Sequence, residues 1–248
     1  MQHASAETTH ALSSLLLAMD PAAIPRRLPI TTTTLLDPSG AHSEPNILSH
    51  IVLSTSLHAA LLSDSEALRA EHPGVERFKL AAEANLPIAF QATATLSGRI
   101  MQYSPSKDAF VEPFTAPLEN GQVRLEGPFS YFLSTTMADR LEPTFVIAPT
   151  LNSHPSTEQD RATFDLVVLR PQRDPIVRKA DGEEDRAKAR CARLGEAMGW
   201  AYQDGAHVRK TYAANGEDGV EDAGEGEAVC EIFRCEGFDW APTVSLAV

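Results

Sequence analysis

Between Leu28 and Trp240 the chain is a succession of short runs of β-branched and aromatic residues, each interrupted within a few residues by Pro, Gly, Asn, Asp or Ser. Runs of that kind read as strands. Most of the connections are too short for the crossover of a dozen or more residues that a parallel pair requires, so neighbouring strands should pair antiparallel. Helical periodicity is confined to three stretches, over 5–19, 76–86 and 181–203. The pattern predicts an α+β fold, mainly an antiparallel β-sandwich with a few flanking helices at its edge.

The runs divide as follows. LPITTTTLL over 28–36 leads into the turn sequence Asp37-Pro38-Ser39-Gly40, and then into a strand over 47–54 in which Ile47, Ile51, Val52 and Leu53 are expected to be buried. That arrangement predicts a hairpin, with Thr31 to Thr34 on an exposed sheet side. Residues 88–103 read as one or two strands around Ser97-Gly98. Residues 127–149 hold the densest aromatic content, and alternation places Phe129, Tyr131, Leu133 and Thr135 on one face of a strand and Phe132 on the other. Phe145 to Ile147, 163–170 and a single strand over 228–240 complete the set.

A net charge of −13 excludes a generally basic surface for nucleic acid or for anionic membrane. Much of the acidity sits in 217–227, and the Gly-rich segment 213–227 carries so little apolar surface that it reads as a disordered insertion, suited to a basic partner. Cys191, Cys230 and Cys235 have no metal-ligand spacing and read as reduced thiols, so no metal site is assigned. His207 reads as a cap or surface residue. No apolar run approaches the roughly 20 residues of a membrane span. The N-terminus lacks the basic start of a signal peptide, so a cytoplasmic location is expected.

The stretch 46–86 carries the chemistry. Ser63-Asp64-Ser65 reads as a turn, after which Asp64, Glu66, Arg69 and Arg77 crowd around His72-Pro73-Gly74, which no helix crosses unbroken. Forked guanidinium groups on both sides of such a break suit phosphate oxygens. Solvated charges at an ordinary helix start are the other reading, as core packing is for Phe78.

Asp64-Ser65-Glu66-Ala67-Leu68-Arg69 followed by Gly74-Val75-Glu76-Arg77-Phe78 resembles the diacylglycerol, sphingosine and ceramide kinase family, in the manner of fungal long-chain-base kinases. The order of an aromatic strand, Phe145-Val146-Ile147-Ala148-Pro149 and Val168-Leu169-Arg170-Pro171 extends the likeness to most of residues 46–242. The resemblance implies a lipid-kinase C-terminal domain over 24–248. Residues 1–23 would then be a helix left from the linker to a nucleotide-binding domain. It further implies that Arg69 and Arg77 reach nucleotide phosphates, and that Asp64 and Glu66 orient them or approach a lipid head group. Phe78, Phe129 and Tyr131 would contact the lipid, whose long acyl chain would lie between the sheets, with ATP and Mg²⁺ as cofactors and peripheral membrane association. The family's Gly-rich G-G-D-G-T loop and its D-G-E segment have no counterpart here, so no catalytic residue is assigned and the isolated chain is expected to be inactive. A lipid-binding or partner-binding module without catalysis is the alternative.

Overall fold

The structure is a computed structural model that describes residues 16, 19–21, 29–37, 39–42, 45–156, 163–216 and 218–243. Apart from Leu16 and Met19, the predicted helix over 5–19 lies outside the described residues.

Alternation along β11 (Phe164–Leu169) separates two cores. Phe164, Leu166 and Val168 point into one, and Val167 and Leu169 into the other, all with almost no exposure. β11 is wholly buried because it lies inside a six-stranded sheet that is covered on both faces. With β3 (Val52–Thr55), β5 (Met101–Ser104), β6 (Ala109–Val111), β8 (Tyr131–Thr135) and β14 (Glu231–Cys235), the order is β3-β8-β11-β14-β5-β6. On one face packs a three-stranded sheet of β4 (Ala92–Ser97), β7 (Val123–Glu126) and β15 (Gly237–Pro242), ordered β15-β4-β7. β9 (Arg140–Glu142) and β10 (Phe145–Val146) form a separate two-stranded ribbon, and every strand pairing among the described residues is antiparallel. The predicted α+β architecture and its antiparallel sheets are therefore present.

The space between the two sheets is filled by side chains. Leu96, Leu125, Phe129, Phe132, Leu166 and Phe233 are all fully buried. Phe129 meets Phe132 edge-on at 5.6 Å and Trp240 at 4.9 Å between ring centroids. Each such side chain contributes about 1.5–3 kcal/mol, and this packing leaves the expected acyl-chain space between the sheets occupied by protein.

Two corners tie the sheets together, and they meet. β4 turns into β5 through Gly98 at φ +78°, where a Cβ would press into the Glu236 side chain. β14 turns into β15 at Glu236, whose N–H donates to the Ser97 carbonyl at 3.2 Å. The predicted single strand over 228–240 is thus two strands in different sheets.

The opposite face of the large sheet carries helices rather than solvent. α1 (Ser56–Ala67) contributes Leu57 to this second core. α2 (Glu76–Asn85) follows it, and the short α3 (Thr150–Ser153) and α4 (Pro175–Lys179) lie further along the chain. The twenty-residue α5 (Gly182–Ala201) supplies Leu194, Ala197 and Ala201 at helical spacing. The helices therefore cover a sheet face and do not merely flank an edge. None of the described helices is long and apolar enough to cross a membrane.

Three further expectations are revised. β1 (Thr31–Thr33) does pair antiparallel with β2 (Ile47–Ser49), and Asp37 holds the turn by accepting from the Ser39 and Ala41 amides at 2.8 and 3.0 Å. Ile47, Leu48 and Ile51 are nevertheless exposed, because this two-stranded ribbon stands apart from the large sheet. Within the acidic segment, where a disordered insertion is expected, the described residues include a paired strand: β12 (Lys210–Tyr212) pairs with β13 (Val220–Asp222). Asp222 is held by Arg209 at 2.7 Å and Lys210 at 3.2 Å, and Asp218 by Lys179 at 2.7 Å. Bases from neighbouring elements pair with these two carboxylates, which composition within the segment cannot show. His207 is fully buried and bonds the Ile147 carbonyl through Nε2 at 3.0 Å.

Candidate functional site

β3 passes into α1 without a loop. The junction is Ser56, whose φ of +60° lies in the left-handed region, a conformation costing a non-glycine residue about 1–2 kcal/mol. Around it collect hydroxyls that the fold buries and leaves without partners: Thr55 Oγ1, Ser56 Oγ, Ser130 Oγ and Tyr131 OH. They are neighbours through the backbone, since Ser56 bridges to Tyr131 and the Leu57 amide donates to the Ser130 carbonyl at 3.3 Å. Beside them Ser54 Oγ and His58 Nδ1 share a hydrogen bond of 2.7 Å. Burial holds His58 below the ordinary histidine range and pushes the Tyr131 phenol up, so both are neutral at pH 7. Ser54 lies opposite Leu133 and so faces the helices, whereas Thr55 lies opposite Phe132 and faces the small sheet, so these hydroxyls divide between the two faces of the large sheet.

The predicted turn at 63–65 is absent, because α1 continues through it. Ser65 Oγ donates to the Leu62 carbonyl at 3.0 Å, and Asp64 Oδ2 accepts from the buried Asn85 Nδ2 at 2.7 Å, fastening α1 to α2. Tertiary packing overrides the turn propensity of Ser-Asp-Ser. The break at Pro73-Gly74 stands as expected, with Arg69 before it and Arg77 after it. Arg69 Nη2 pairs with Glu66 Oε2 at 2.6 Å while 59% and 64% of the two side chains remain exposed. Arg77 Nη1 donates to the Pro73 and Gly74 carbonyls at 2.8 and 2.9 Å, and its guanidinium lies over the Phe78 ring at 4.5 Å. Asp64 is thus a structural tie, Glu66 the Arg69 partner, and Phe78 a half-buried shelf for Arg77.

Phe129 and Tyr131 do not share a face. Phe129 still pairs with Phe90 beside the small sheet, and at Ser130, whose amide donates to the Leu169 carbonyl at 2.9 Å, the chain enters the large one. Phe129 therefore lies between the sheets with Phe132, while Tyr131 faces the helices beside Leu57. The structure gathers Asp64, Glu66, Arg69, Arg77 and Phe78 on the α1–α2 hairpin, places Tyr131 at the head of α1, and sets Phe129 apart.

Sequence reasoning missed Ser54, His58 and Ser130 altogether. The run Ser54-Thr55-Ser56 at the end of a strand was the available signal. Among the described residues no group of three or more His, Cys, Asp or Glu converges as a metal-ligand set. Burial pushes the Cys230 thiol up to about 12, which makes it inert as a nucleophile. No protein-family model matches the chain, and no curated protein matches it.

Proposed function

We propose that this chain is the lipid-side domain of an ATP-dependent lipid kinase of the diacylglycerol, sphingosine and ceramide kinase type, acting in the cytoplasm at membrane surfaces. The observation carrying this reading is the pair of arginines flanking the Pro73-Gly74 break on a hairpin whose other end is the hydroxyl-lined β3–α1 junction. Arg69 is held only by an exposed carboxylate, a pair worth about 0–1 kcal/mol, so a phosphate can take Glu66's place. Bound Mg-ATP would supply the phosphoryl group. This chain's arginines would bind its phosphates, and the Ser54, Ser56, Ser130 and Tyr131 hydroxyls would orient a lipid head group.

The twelve-residue α1 is about 18 Å long, too far for one phosphoryl group to bridge its ends. The described carboxylates also give Mg²⁺ no ligand set of their own. Both points favour a domain that binds and positions over one that completes transfer alone. The second reading, a module that binds lipid or a partner without catalysis, draws on Arg77 being committed to two backbone carbonyls.

Titration of the purified chain with Mg-ATP tests the proposal. Binding weakened by both Arg69→Ala and Arg77→Ala is expected, with no transfer to sphingosine, ceramide or diacylglycerol. Absence of Mg-ATP binding would remove the kinase reading in favour of the second. Robust lipid labelling abolished by Arg69→Ala would overturn the claim that the chain alone does not catalyse.

A further inference from the structure

A cleft of about 330 Å³ opens between α4, α5 and the start of β4, and Gln91, Gln172, Arg178, Glu183, Arg186 and Arg190 supply its polar lining. Glu183, Arg186 and Arg190 project from one side of α5 because their spacing follows the helical repeat. Three arginines against one glutamate leave the cleft two positive charges in excess, on a chain whose net charge is −13. That concentration runs against the general field of the molecule.

The state of these arginines distinguishes them from the others. Arg190 is only 6% exposed; its Nη2 donates to the Pro87 carbonyl at 2.9 Å and Glu183 Oε1 at 2.7 Å, and its Nε is buried without a partner. Arg178 and Arg186 make no side-chain hydrogen bond or ion pair among the described residues, whereas every other described arginine is engaged. Three guanidinium groups facing one cleft with a single carboxylate among them repel one another, and an anion between them relieves that repulsion. A lone carboxylate is satisfied by a single planar fork. Arginines arriving from two different helices, with glutamine amides from two further segments, suit an anion that accepts from several directions.

We propose that this cleft binds a phosphate or phosphomonoester, through Arg178 and Arg186 with Arg190 as the fixed base of the site. It is built from elements other than the α1–α2 hairpin and does not depend on the kinase reading. The shared chemistry is the dianionic phosphate group, whether free or on a lipid head.

Calorimetric titration of the full chain with inorganic phosphate and with glycerol 3-phosphate, and sedimentation with phosphatidylcholine vesicles with and without phosphatidic acid, test it. Arg178→Ala/Arg186→Ala, two exposed positions, should weaken whichever interaction is found by roughly tenfold or more. Arg124→Ala, which removes an exposed charge elsewhere, should leave it unchanged. Binding of the soluble anions assigns the site to free phosphate compounds, and binding confined to phosphatidic acid vesicles assigns it to a lipid head. No binding in either arm, or binding that the double variant retains, overturns the proposal. Mg-ATP binding should survive in the double variant, so failure here and failure of the kinase reading are separable.

Discussion

Asp165 and Arg234 face each other across β11 and β14, with Nε on Oδ1 at 2.7 Å and Nη2 on Oδ2 at 3.0 Å. The carboxylate is fully buried and also accepts from Thr150 Oγ1 at 2.9 Å, while the guanidinium stacks over the Phe110 ring at 4.1 Å. Every oxygen of the carboxylate is thereby satisfied, the condition under which a buried charge pair is tolerated.

Removing one partner strands the other charge. Arg234→Ala should cost about 3–5 kcal/mol of folding stability, measured by urea unfolding, whereas the apolar double variant Asp165→Leu/Arg234→Met should recover most of that loss. A single variant as stable as the parent would show that the pair is not buried in solution.

Ser56 combines a left-handed backbone with a buried hydroxyl that has no partner. Glycine removes both penalties, so Ser56→Gly should raise stability by about 1 kcal/mol even after its greater unfolded-state freedom is counted. Ser56→Val should do the opposite. Thermal unfolding of the two variants side by side reads the sign directly.

Burial takes His207 from 6.5 down to about 4, outweighing its bond to the Ile147 carbonyl. Its neutral form is the folded form. Below pH 6.5 the unfolded chain binds a proton that the native chain refuses, so its contribution is complete above 6.5 and is lost as pH falls towards about 4. That contribution is roughly 3 kcal/mol. His207→Gln keeps a donor to Ile147 and should flatten the stability profile across this window; a profile as steep as the parent's would assign the acid sensitivity to other groups.

Arg69→Ala should change stability by less than about 0.5 kcal/mol, because its only ion pair is exposed. Unfolding curves that superimpose on the parent's would make any loss of Mg-ATP binding a loss of contact and not of fold.

Local pattern carried much of the strand content. Thr31 to Thr33, Ala92 to Ser97, Tyr131 to Thr135 and Phe164 to Leu169 all announce themselves by β-branched and aromatic residues, and Leu194, Ala197 and Ala201 by helical spacing. What the pattern could not show is pairing at a distance. Arg170 and Arg173 both close on the buried Glu231, and Arg193 on Asp174 at 2.6 Å. As isolated letters these read as ordinary surface charges. The same holds at the candidate site: Arg69 and Arg77 were visible as a spacing, but the hydroxyls beside Ser56 belong to β3, α1 and β8, and only the fold brings them together. Phe129 misled because alternation was carried one residue past the point where the chain changes sheets.

The position of β14 between β11 and β5 bears on how the molecule is made. Strands that are central in space and late in sequence leave the nascent sheet in two halves, β3-β8-β11 and β5-β6, until residues 231–235 have left the ribosome. Until then each half shows an open, largely apolar edge, the surface on which chains pair with their neighbours instead of with themselves. A chain stopped before Glu231 would therefore be drawn into aggregates or held by chaperones, because without β14 the two halves have nothing to join them.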